Sequence, residues 1–342
     1  LAAAETIGRL DLAGTLNGPG KLTAGTYALA GGTANADLGA GTLRSTGPST
    51  LNGHADALTV IVENGTLTLG SAERLADSAT VSVARNARLT HGGDEKVGTL
   101  SLAGSVDGIG TLSADAYVLD GGVIDGDIAG DRLTTVGDST LNGESSVTVV
   151  NVDGGTLSLG SAGRFTDRPD VTVAAGAAIV LGGNEAFGSL AGAGTADLDR
   201  FTLTTGSRQS SSFSGALVGS GALLKVGELT TFTLGGANPF SGALQVNQGT
   251  LALADGGTLG SGSDVTVATG ATLSLAGNAS VDTATLRGTL AGTGTLTAAT
   301  YTLEGGHIAG RIGAGALTSS GASRVSGDGG AISSAGRLTL DN

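Results

Sequence analysis

The sequence predicts an all-β chain wound as a parallel β-helix, and three observations carry that prediction. First, strand signals fill the chain and helix signals are nearly absent. TLTLG, VSVA, VTVVNV, LSLG, LALAD and YTLEGG alternate an apolar residue with a small polar one, and a period of two sends one set of side chains inward and the other outward. Second, the same phrases return at long, regular intervals. Residues 65–93 (GTLTLGSAERLADSATVSVARNARLTHGG) come back at 155–183 and again at 249–277, the copies starting 90 and 94 residues apart. GTYALAGG at 25–32 comes back as DAYVLDGG at 115–122 and ATYTLEGG at 299–306. Long-period self-similarity of this kind is the mark of a solenoid. Third, the apolar residues are small and regular: aromatics are 3% of 342 residues, and Met, Trp and Cys are absent. A globular core of this size would fill its gaps with larger side chains, whereas a narrow interior of like layers suits Leu, Val, Ile and Ala.

Composition also sets limits on function. The 63 glycines have no period of three, so the chain is not collagen-like. A hydrophobic share of 39% in alternating runs is too high for a disordered chain. The net charge of −13 argues against a nucleic-acid partner and against electrostatic docking on anionic lipid. No apolar run approaches the length of a membrane span. With no initial Met and no signal peptide at its start, the chain reads as a portion of something longer. The lack of Cys removes disulfides and suits a protein exported unfolded.

Taken in order, the chain divides into super-repeats at about 7–97, 98–187 and 188–283, with a partial fourth at 284–342, forming one continuous rod over 1–342. Within a block, strand runs of three to six residues close on Gly, Asn, Asp or Ser, residues that supply positive φ or local side-chain turns. About 18 to 22 residues per coil would place four or five coils in each block, each coil covering its neighbour's apolar face. Leu157 is among the positions expected to point inward. An insert at 213–248 breaks the pattern and holds three of the six Phe; the phrase FSGAL occurs there twice, at Phe213 and Phe240, and is expected to stack these rings as a ladder.

The insert also carries a resemblance. GALLKVGELTTFTLGGANPFSGALQVNQGTLAL resembles the autotransporter-associated β-strand repeat through Gly221, Leu223 or Leu224, Lys225, Gly227, Phe232, Leu234, Gly236, Asn238, Phe240, Ser241, Gly242, Val246, Gly249, Thr250 and Leu251. It departs from the pattern at 228–231, where a second Gly is missing. The rest is similar in style to the repetitive rods of filamentous-haemagglutinin-type adhesins of Gram-negative bacteria, secreted by the two-partner route. The resemblance implies a right-handed parallel β-helix that is extracellular, surface-displayed and associated with the outer membrane. It implies a role in biofilm or host attachment through exopolysaccharide or surface glycan, and passage through an outer-membrane transporter during secretion. A monomeric rod, with no cofactor and no nucleic acid, is the expected working form.

Residues that could carry chemistry are few. Asp120, Asp125, Asp127 and Asp131 form the densest acidic run, a candidate Ca²⁺ site, although the calcium-roll nonapeptide is absent. Asp94 and Glu95 are adjacent, so on an extended chain they face opposite ways and make a poor acid–base pair. His54, His91 and His307 are scattered, with His91 expected at the surface beside the Gly92–Gly93 turn. Tyr27, Tyr117 and Tyr301 share one phase of the repeat. They are candidates to stack on sugar rings, or else plugs over a coil corner, the reading that fits better. Gly-rich phrases such as GTGTL precede no helix and are not phosphate loops. The reading reached from sequence is a rod-forming segment of a secreted adhesin, not an enzyme. A β-helical polysaccharide lyase or hydrolase and a pure spacer stalk are the alternatives.

Overall fold

A computed structural model describes residues 1–326 and 335–340. Among them there is no helix, and every pairing between strands is parallel. The chain is a β-solenoid that divides into two compact units. The first holds residues 1–160 with 164–167, and the second holds 161–163 with 168–342.

In the first unit each coil lays one strand on each of two sheets. On the first sheet Leu22–Leu29 pairs with Thr42–Ser45, then Thr59–Val62, then Thr80–Val83. On the second, Ser49–Leu51 pairs with Thr66–Leu69 and then Arg88–Gly92. A third side is marked only by single bridges, Leu22 to Leu38 to Ala55 to Leu75. Further along it merges with the first sheet in the long strands Glu95–Leu102, Thr111–Leu119 and Asp127–Thr135. The inward column of the first sheet runs Leu10, Tyr27, Leu43, Val60, Val81, Leu100, Tyr117, Leu133 and Val150. Each layer is therefore covered by a side chain of similar kind above and below, and stability is a sum over neighbours. On the second sheet Thr33, Thr50, Thr68 and Thr90 line up half-exposed on the outer face, where a β-branched hydroxyl keeps strand geometry and stays hydrated. Leu157 is fully buried in register with Ser139, as the alternation in TLSL predicts.

Polar side chains close the turns from coil to coil. Asn35 donates to Asn17 and Asn52 to Asn35, both at 2.6 Å. The Asp37, Asp94 and Asp127 carboxylates each accept the backbone N–H of a residue one coil on: His54, Thr111 and Glu144.

The second unit winds in the same manner with a more distinct third sheet, in which Thr202–Thr205, Ala222–Lys225, Leu244–Val246 and Asp264–Val267 pair in sequence. Its coils are longer around the insert, where Ser211 pairs with Phe232 and Phe213 with Leu234. This spacing corrects the expected aromatic ladder. Phe213 lies against Leu234, and Phe240 follows the strand Ala237–Asn238 on another side, its N–H donating to the Leu217 carbonyl. The two FSGAL phrases are farther apart than one coil, so they fall at different points of the circumference.

Candidate functional site

All three tyrosines are inside the coils, each no more than 1% exposed. Tyr27 and Tyr117 occupy rungs of the first unit's aliphatic column. Tyr301 occupies the third-sheet column of the second unit, between Ala284 and Leu317. The local bonding repeats: the Tyr27 hydroxyl donates to the carbonyls of Leu22 and Gly39, that of Tyr117 to Leu112 and Ala129, and that of Tyr301 to Leu296 and Gly313. The N–H groups of Ala24 and Ala298 donate to Tyr27 and Tyr301. Burial raises all three phenols above the ordinary value. Glycine makes the room: a Cβ at Gly41 would lie 2.9 Å from Tyr27 Cε2, and one at Gly315 2.6 Å from Tyr301 Cε2. Stacking on a sugar needs an open ring face, and these rings present none; they tie the third side of the coil to the strand that follows.

The acidic run is spread around a coil. Asp120, Asp125, Asp127 and Asp131 are all exposed. Asp125 accepts from the Asn142 amide at 2.7 Å and Asp127 from the Glu144 N–H at 2.8 Å. Twelve residues cover most of one circumference, so their carboxylates point to different sides. Among the described residues no three His, Asp or Glu gather to hold a metal ion.

Asp94 and Glu95 diverge as strand alternation requires. Asp94 is exposed, and Glu95 is buried with its two oxygens accepting the N–H groups of Arg74 and Leu75. Burial pushes the Glu95 carboxyl up, while those two donors pull it down. His54 lies at the surface, 3.3 Å from Asp56, which Lys21 also pairs at 2.7 Å. His91 corrects the expectation of exposure: it is 1% exposed, in register with Leu69, with Nδ1 2.9 Å from the Gly93 carbonyl. The strand continues inward-outward alternation up to the Gly-Gly turn, and Gly108, opposite in the next coil, leaves space for the ring.

Lys225 is fully buried in the inward column between Thr205 and Val246. Its Nζ donates to the carbonyls of Val226, Gly227 and Gln248 and to the Thr230 hydroxyl, at 2.6 to 3.2 Å. Burial lowers the ammonium to about 8. The side chain closes the turn at 226–230, whose tip, Leu229, is 96% exposed.

A surface concavity of about 580 Å³ lies elsewhere, on the first unit. Its origin is a mismatch between stacked turns. Between the two sheets, residues 84–87 (ARNA) connect Val83 to Arg88; in the next coil only Ala103 and Gly104 connect Leu102 to Ser105. The long turn is pinned by the Ala87 N–H on the Ala84 carbonyl at 2.9 Å, with Asn86 at φ 67°. The short one is pinned by Ala103 and Gly104 donating to the Val83 carbonyl at 2.9 and 3.2 Å. A notch opens above the short turn, since the coil beyond has a fuller turn at 120–122. Gly104 is required at the floor, where a Cβ would lie 2.2 Å from the Ala87 carbonyl oxygen and 2.4 Å from that of Ala84. Arg85 reaches across the notch, its two Nη atoms 3.5 Å from where a Cβ on Gly121 would sit, two coils on. Arg88 stands beside it, held by Asp107 at 2.8 Å and Ser105 at 3.3 Å.

The chain matches one curated adhesin. It is 31% identical over 235 residues to the adhesin BmaC autotransporter of Brucella suis biovar 1 (strain 1330), an overlap of 59% of this chain and 7% of that protein. The chain therefore spans a small fraction of its relative's length. No family model matches the chain, and no solved structure does. The match to an autotransporter adhesin and the solenoid fold agree.

The two arginines of the notch were not among the residues singled out from sequence. The signal was present: ARNAR is a paired basic turn in a chain of net charge −13. The same positions read AAGAA at 174–178 and ATGAT at 268–272 in the other copies.

Proposed function

We propose that this chain is a rod segment of a secreted, surface-displayed bacterial adhesin associated with the outer membrane, and that it acts by reach and by repeated weak contacts rather than by catalysis. The likeness to an autotransporter adhesin carries this reading. The architecture supports it: a parallel β-helix presents the same polar outer face coil after coil, and many weak contacts on one scaffold gain avidity without a strong pocket. The acidic and histidine residues fit the same reading. Asp94, Glu95, Asp125, Asp127 and His91 are engaged in closing turns and Asp120 and Asp131 stand apart, and a polysaccharide-cleaving site would need several carboxylates converging on one face. Attachment to biofilm exopolysaccharide or to a host glycan is the finer form of the proposal, with an outer-membrane transporter as the partner during secretion.

The test is adhesion by beads coated with the purified chain, on bacterial and host-cell surfaces, together with mass spectrometry of glycans left in contact with it. Adhesion without cleavage is the expected outcome. Cleavage products would replace the adhesive reading with a lyase or hydrolase, and smooth, non-adherent beads would reduce the segment to a spacer.

A further inference from the structure

We propose that the notch held by Arg85 and Arg88 is a binding site for a sugar that carries a single carboxylate at the end of an otherwise neutral glycan. The proposal rests on the adhesive reading only in naming a glycan; the site itself is argued from geometry.

The long turn that overhangs the notch is a repeated device, and only its first copy carries arginines. In the second unit the turn at 174–177 overhangs Ala193 and Gly194, and the turn at 268–271 overhangs Arg287 and Gly288. The same hydrogen bonds close all three long turns, Ala87 to Ala84, Ala177 to Ala174 and Ala271 to Ala268, at 2.9 to 3.0 Å. The positive-φ residue is Asn86, Gly176 or Gly270. The backbone thus builds the same long-over-short pair of turns three times, but the coil beyond has a fuller three-residue turn only in the first copy, at 120–122, against two residues at 214–215 and at 305–306, and the side chains differ. Where the first copy has Arg85 and Arg88, the second has Ala175 and Ala178 and the third has Thr269 and Thr272. In the third copy an arginine stands in the floor and is paired with Glu304 at 2.7 Å.

Charge selects the ligand. Among the described residues no carboxylate pairs with Arg85 within 4 Å, whereas Asp107 is taken up by Arg88 and by the Thr90 hydroxyl. Arg85 is a planar, permanently charged fork that matches a carboxylate through two parallel hydrogen bonds. Arg88, held in place by Asp107, keeps further N–H donors for ligand hydroxyls. Thr66 and Ser105 add hydroxyls, and Val123 adds an apolar patch. A volume of about 580 Å³ lies within the ordinary range of small-ligand sites and takes two or three sugar rings. One uncompensated cation on a chain of net charge −13 suits an isolated carboxylate; a dense polyanion would be repelled by the rest of the surface.

The test is calorimetric titration of the whole chain with sialyllactose and with a glucuronate-terminated disaccharide, using lactose and inorganic sulfate as controls. Saturable binding of at least one acidic sugar, with no binding of lactose, is expected. Arg85→Ala and Arg88→Ala should each weaken it by about tenfold or more, as loss of a charge-assisted bond does. Circular dichroism of both variants should match that of the parent. The proposal is overturned if neither acidic sugar binds, if lactose or sulfate binds equally well, or if folded Arg85→Ala keeps the parent's affinity. Bead adhesion persisting in Arg85→Ala while sugar binding is lost leaves the site standing and places the adhesion elsewhere; adhesion by the parent without acidic-sugar binding retains the adhesin and removes the site.

Discussion

Lys225 shows how a single residue couples the fold to pH. Its ammonium is buried among the carbonyls of the 226–230 turn and is lowered to about 8 by that burial, against an ordinary value near 10.5 in the unfolded chain. Below pH 8 both states carry the proton and the group adds no pH dependence. Between about 8 and 10.5 the unfolded chain binds more protons than the folded one, so stability rises with pH over that window. The buried tyrosines act in the opposite sense: their folded values are raised, so the stability they contribute is present below about pH 10 and is lost as pH rises beyond it. The urea midpoint of the second unit should therefore climb between pH 7.5 and 9.5 in the parent and stay level in Lys225→Met. An equal climb in that variant would assign the effect to another group. Tyr117→Phe is the matching test of the plug. It leaves the Leu112 and Ala129 carbonyls without their donor and should cost about 1 to 3 kcal/mol, read as a lower denaturation midpoint; no change would mean that water or a neighbour takes over both bonds.

At the scale of the element, the turn is where this chain does most of its specifying. The strands themselves were legible: period-two alternation in TLTL and VSV maps directly onto Thr66–Leu69 and Thr80–Val83, with the predicted residues inward. The turns were legible only as turns, since Gly and Asn announce a bend without giving its length relative to the coil below. That relative length makes the notch, and it is a property of two turns in register, which one stretch of sequence does not display. His91 was misplaced for the same reason, as the space for its ring comes from Gly108 in the next coil. The tyrosines share one local bonding pattern, but their burial depends on glycines a coil ahead. Turn energetics give a sharp contrast. Gly104→Ala forces a Cβ against two backbone carbonyls and should cost about 3 kcal/mol, at the upper end for overpacking. Asn86→Gly relieves a residue held at φ 67° and should be neutral or stabilising by up to about 1 kcal/mol. Thermal denaturation of the two variants separates them; equal, small effects would mean that the short turn can shift outward.

At the scale of the whole molecule, stacking makes each layer depend on the next, and this decides how damage spreads. In the first unit Leu157 lies against the Ser139 layer and is fully buried. Leu157→Asp would place an unpaired carboxylate in an apolar column, a defect worth more than about 4 kcal/mol. In a globular domain such a change unfolds everything at once. In a solenoid the cost falls on the coils that share the column, because stability is a sum of local and nearest-neighbour contributions. Hydrogen exchange should therefore show protection lost first in Ser139–Leu141 and Thr156–Leu159. It should be progressively retained toward Thr33–Ala34 and Thr15–Leu16, which are connected to the defect only through intervening strands. Uniform loss across the first unit would show that its coils fold as one cooperative block. The pattern also bears on the notch, whose arginines at 85 and 88 lie four coils before Leu157 and whose far wall at Gly121 lies two coils before it. Graded unfolding would loosen the Gly121 wall, which stacks on the 139–141 layer, and weaken acidic-sugar binding in Leu157→Asp only in part, whereas a cooperative block would abolish it together with the fold.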